Sequence, residues 1–118
     1  MHDPKALQLL QEVLNKTRAG RLKWEATASE SDYFAVLPGG FALVIVEVTD
    51  KGNWGMRSEQ VQHVLILRGE GDQELMRITS DFDAIEPVEL AQLFELAKRQ
   101  ALRVDATVDR FLGELAKL

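Results

Sequence analysis

The 118 residues are 46% hydrophobic, enough for one domain with a proper core, and 19 acidic against 14 basic side chains leave a net charge of −5. That acidity disfavours nucleic acid or an anionic membrane surface as partner, and the absence of cysteine excludes disulfides, thiolate catalysis and thiolate metal ligation. The start MHDPKALQLLQEV lacks the basic and apolar stretches of a cleaved signal, and the longest apolar run, Phe41 to Val46, is too short to span a bilayer, so a cytoplasmic single domain over 1–118 is expected.

Asp3 followed by Pro4 makes a good helix start, Leu7, Leu10, Val13 and Leu14 form one face, and Lys16 and Arg18 precede Gly20, which can take the left-handed stop. A helix over 4–18 is therefore predicted. Beyond the stop the period changes to two: Leu22, Trp24, Ala26 and Ala28 alternate with Arg21, Lys23, Glu25 and Thr27, the pattern of a half-buried strand. Tyr33 to Leu37 reads as a second strand returned by the Pro38-Gly39-Gly40 turn, and Phe41 to Thr49, apolar on both faces up to Val46, reads as the central strand. Val61 to Arg68 and Glu74 to Thr79 follow as the fourth and fifth strands, joined at Gly69 to Asp72. The short connections suit a five-stranded antiparallel meander.

Pro87 is well placed to open the next helix. From there Leu90, Phe94, Ala97, Ala101, Val104, Val108, Phe111, Leu115 and Leu118 recur at alternating steps of four and three, an unbroken helical stripe. Low propensity at Val104, Thr107 and Val108, with Asp105 able to cap a new start, predicts two helices, 87–102 and 105–117. The flanks of the stripe, among them Leu93, Thr107, Ala91 and Leu112, are short of complementary charge and widen the apolar face, which suits packing on a sheet better than a two-stranded coiled coil. The expected fold is α+β: one N-terminal and two C-terminal helices packed on an antiparallel sheet of about five strands.

Sites of chemistry are sparse. The sequence has no nucleophile elbow, phosphate loop, dinucleotide glycine pattern or zinc-binding His-Glu pair, and Asp81, Asp83 and Glu86 lack the spacing of a calcium loop, so catalytic, cofactor and metal residues are all read as none. His63 shares a strand face with Val61, Leu65 and Leu67 and is read as a satisfied, half-buried imidazole. Trp54, Met56 and Arg57, in the loop after Asp50, are candidate contact residues, because these types favour interfaces and nothing periodic calls for their burial. The basic cluster Lys16, Arg18, Arg21 and Lys23 is notable in an acidic chain and adds Arg21 and Lys23 as candidates for a phosphate or an acidic partner.

The segment Leu14 to Thr27, a helix ending in Lys16-Thr17 and Gly20 that leads into Trp24-Glu25, resembles the opening of a scattered group of small bacterial proteins with no assigned function. Leu93 to Leu115, with Glu95-Leu96-Ala97-Lys98-Arg99 and then Val104-Asp105, is similar to their C-terminal helical part. The resemblance covers about a third of the chain and implies a bacterial or phage setting and a break at Val104-Asp105, but no chemistry. The functional expectation is a non-enzymatic protein-interaction module, such as an adaptor, inhibitor or immunity-type protein, that pairs with another protein and forms a homodimer. Two alternatives stand beside it: a small acidic dimeric chaperone of the secretion type, from which the chain departs in lacking a helix between the third and fourth strands, and a small-molecule binder or enzyme with a pocket between sheet and helices lined by Arg68 or Arg77.

Overall fold

A computed structural model describes residues 4–29, 31–50, 60–79 and 87–118. Helix α1 (Pro4–Arg18) is followed by strands β1 (Glu25–Ala26), β2 (Asp32–Leu37), β3 (Phe41–Asp50), β4 (Gln60–Arg68) and β5 (Glu74–Ile78), then helices α2 (Pro87–Ala101) and α3 (Val104–Ala116). The five strands form one antiparallel sheet in sequential order, so the α+β class and the meander are as the sequence predicts. Helix α1 ends as its composition dictates. Gly20 takes φ +73, its amide donates to the Thr17 carbonyl at 3.1 Å, and the Arg21 amide donates to the Lys16 carbonyl at 2.9 Å, which together satisfy two orphan carbonyls of the last turn.

The first strand is much shorter than the alternation from Leu22 to Ala28 suggests. Only Glu25 and Ala26 pair with β2, while Leu22 and Trp24 are buried without strand partners. The alternation is real, but what it records is packing under the helices. The Trp24 amide donates to Gln100 Oε1 of α2 at 3.0 Å, and its indole Nε1 donates to Thr17 Oγ1 of α1 at 3.0 Å. Thr17 Oγ1 in turn donates to the Val13 carbonyl at 2.7 Å, so the one buried polar residue among those described is saturated.

Sheet register sorts the side chains into two faces. Tyr33, Ile45, Leu65 and Ile78 lie opposite one another across β2 to β5, and the next row carries Ala35, Leu43, Leu67 and Met76. Against this face pack Ala6, Leu10, Val13 and Leu14 of α1 and Leu90, Leu93, Phe94 and Ala97 of α2, all buried. Phe94 sits at the centre, its ring tilted 59° to Tyr33 at 5.5 Å and 42° to His63 at 4.9 Å. The other face presents Phe34, Val36, Ala42, Val44, Val46, Val48, Val64 and Ile66, of which Val64 and Ile66 are buried.

The helical stripe breaks where expected and for a different reason. Arg103 has φ +51 and ψ 48, a left-handed residue that ends the α2 hydrogen-bond ladder and precedes α3. Asp105 does not cap α3. It pairs with Arg99 Nη2 at 2.7 Å, and no side chain caps the helix at Arg103. The consequence corrects one expectation: α1 and α2 pack on the sheet, whereas α3 buries no residue. The radius of gyration is 16.4 Å with extents of 57 × 46 × 25 Å. A compact domain of this length has a radius near roughly 13–14 Å, so the molecule is drawn out.

Replacing Thr17 by Val strands the buried indole N–H of Trp24 and is expected to lower stability by about 1–3 kcal/mol, with Thr17→Ser closer to wild type; urea unfolding midpoints check this. Arg103→Gly relieves the left-handed strain and is expected to raise stability by up to about 1 kcal/mol while leaving the helical circular dichroism unchanged.

Candidate functional site

The stripe that runs through the C-terminal region divides at Arg103 into a covered and an uncovered half. In α2, Leu90, Leu93, Phe94 and Ala97 are at most 2% exposed, whereas in α3 Val108, Phe111, Leu112 and Leu115 are 48, 62, 56 and 47% exposed. These four lie three and four residues apart on one helix, so their exposure is a contiguous apolar band and not scattered surface carbon. A second apolar surface lies on the sheet face away from α1 and α2. Val36 and Val48 are exposed there, Phe34, Ala42, Val44 and Val46 are half-buried, and Val64 and Ile66 of β4 are buried. Arg68 and Arg77 lie on this same face, away from α1 and α2, and not on the helix side where the expected pocket between sheet and helices would have them. Both are engaged. Arg68 donates to the Asp72 carbonyl at 3.2 Å, and Arg77 donates to the two carboxylate oxygens of Glu74 at 3.2 and 2.8 Å, which holds that carboxyl below its ordinary value.

A polar cleft opens at the end of the helix-covered face. Its walls are Thr27, Ser29 and Ser31 from the β1–β2 turn, Tyr33 and Glu47 from the sheet, and Lys98 and Leu102 from α2 and its end, around a volume of about 620 Å3. Glu47 is opposite His63 in the sheet register, and its Oε2 lies 3.1 Å from His63 Nε2. The His63 ring stacks on Phe94, so the imidazole is fixed from two sides, with a side chain 13% exposed against 34% for Glu47. The reading of His63 as a satisfied, half-buried ring is therefore correct, and its partner is the feature that sequence left unread.

The basic candidates separate in space. Arg21 and Lys23 are exposed, on either side of buried Leu22. Arg18 instead lines a groove of about 450 Å3 with Arg99 and Arg103, two residues that no local pattern joins to it. Arg18 donates to Gln92 Oε1 at 3.2 Å, and Arg99 is held by Asp105. Trp54, Met56 and Arg57, like Asp81, Asp83 and Glu86, lie outside the described residues. Among the described residues no cluster of His, Asp and Glu has the arrangement of a metal site, and no helix is long and apolar enough to cross a membrane.

Neither the Glu47–His63 pair nor the cleft was legible as a site beforehand. The available signal was parity: residues 43, 45 and 47 share a face, as do 63, 65 and 67, so a carboxylate and an imidazole were bound to interrupt the core side of adjacent strands. Compared with known proteins, the chain matches no family model, no curated protein and no solved structure.

Proposed function

We propose that this chain is a non-enzymatic protein-interaction module whose contact element is α3 and whose first partner is a second copy of itself. The observation that carries the reading is that α3 buries no residue although its apolar band is as well formed as that of α2. A helix with such a band is marginal in water on its own and gains its stability from what covers it. Among the described residues its own domain offers it no cover: α1 and α2 pack on one side of the sheet, and the second apolar face is on the other.

A second copy supplies that face. Two protomers related by a two-fold axis can each lay the α3 band across the partner's Phe34, Val36, Val44, Val46 and Val48, so that the same contact is made twice and each apolar surface is covered once. Leu112 widens the band beyond a single line of residues, which favours this broad contact over a narrow helix-on-helix seam. The six most exposed of these side chains, four on α3 with Val36 and Val48 on the sheet, offer on the order of 100 Å2 each, which places the contact at the smaller end of specific interfaces, below the ~800 Å2 per partner of the standard size.

Light scattering on the full chain is expected to give a dimer, and the double variant Phe111→Glu, Leu115→Glu a monomer with its helical circular dichroism retained; a wild-type monomer at all concentrations overturns the reading. Because the chain has no cysteine, pairs can be introduced cleanly. Leu115→Cys with Val46→Cys is expected to cross-link between protomers on oxidation. Equal cross-linking by Leu115→Cys alone would instead place helix against helix.

A further inference from the structure

On the helix-facing side of the sheet, the rows through Tyr33 and through Ala35 carry apolar side chains across β2 to β5, and the third row does not. It carries Glu47 and His63, joined at 3.1 Å, and the Glu47 amide donates to the Ser31 carbonyl at 2.7 Å, which brings Ser31 alongside. Placing a carboxylate on a core face costs free energy unless something retains its solvation or charge. His63 engages Oε2, and Glu47 makes no other side-chain hydrogen bond among the described residues. The cleft keeps the carboxylate accessible.

Lys98 lines the same cleft from α2 and forms no ion pair among the described residues, with Glu47 or any other acid. One recess thus holds an anion and a cation that leave each other unneutralised. Thr27, Ser29 and Ser31 line the same cleft, in a turn fixed by its own bonds: the Ser29 amide donates to Thr27 Oγ1 at 3.0 Å, the Ser31 amide to Ser29 Oγ at 3.2 Å, the Ser29 and Ser31 hydroxyls lie 2.8 Å apart, and Thr27 Oγ1 is bonded to Asp32 Oδ1. Tyr33 closes the floor, its ring held against Phe94.

We propose that this cleft binds a small zwitterion of the free α-amino-acid type, its ammonium on Glu47 and its carboxylate on Lys98, with the turn hydroxyls as further hydrogen-bond partners. Charge-assisted bonds at both ends select a ligand that carries both signs. The volume of about 620 Å3 suits a small molecule and not a folded domain. His63 is a positioning residue in this site, since it holds one carboxylate oxygen and so fixes the direction of the other. The proposal does not depend on dimerisation.

The test titrates the full chain with the common free amino acids at millimolar concentration, reading amide chemical shifts and thermal midpoints. At least one amino acid is expected to raise the midpoint and to shift the amides of Ser29, Ser31, Glu47 and Lys98, while its N-acetyl and carboxamide forms, each lacking one charge, do not. Glu47→Gln and Lys98→Met, which keep side-chain shape and lose charge, are each expected to weaken binding roughly ten- to hundredfold. Absence of a response to every amino acid overturns the proposal. So does binding that either variant leaves unchanged, or equal binding of the N-acetyl form. Should both variants fail to fold, the wild-type comparison of the zwitterion with its singly charged forms decides alone.

Discussion

Phe94 is the residue on which the arrangement turns. Its ring lies between Tyr33 of β2 and His63 of β4, so a single side chain of α2 spans the middle strands and sets where the helix crosses the sheet. Truncating such a ring removes burial and leaves a cavity, and here it would also release the imidazole that orients Glu47. Core packing and the polar cleft are not separate features of this domain. The same aromatic contact supports both.

A second fixing point lies at the other side of α2. Trp24 joins both helices to the sheet: its indole bonds to α1 through Thr17, its amide to α2 through Gln100, and the next two residues begin the sheet. This junction explains why a segment with strand-like alternation gives only two residues of strand. The hydrogen bond that a ladder would have taken goes to a glutamine side chain, and the indole nitrogen finds a threonine. A buried polar network that is fully satisfied specifies one arrangement of helix against helix, which a purely apolar contact would leave freer to slide.

The α+β class, the order of the elements and the break near Val104 were legible because each rests on local chemistry: apolar periodicity, a proline at a helix start, glycine in a left-handed turn. What was not legible depends on pairs far apart in sequence. Trp24 and Gln100, Arg18 and Arg99, and Glu47 and Lys98 are brought together by the fold and carry no shared local signature. The uncovered state of α3 was hidden for a related reason. Periodicity states that a face is apolar and cannot state which surface covers it, and the spacing continues unchanged through Arg103 although the backbone does not.

Leu102 is a wall of the cleft, and Arg103 is the single left-handed residue after it from which α3 departs. The cleft wall and the root of the projecting helix are therefore one turn of chain. A helix of thirteen residues is about 20 Å long at 1.5 Å per residue, and along that length it buries no residue. The turn that ends α2 therefore serves two surfaces at once: it places Leu102 in the cleft wall and sets the direction in which the apolar band of α3 leaves the domain.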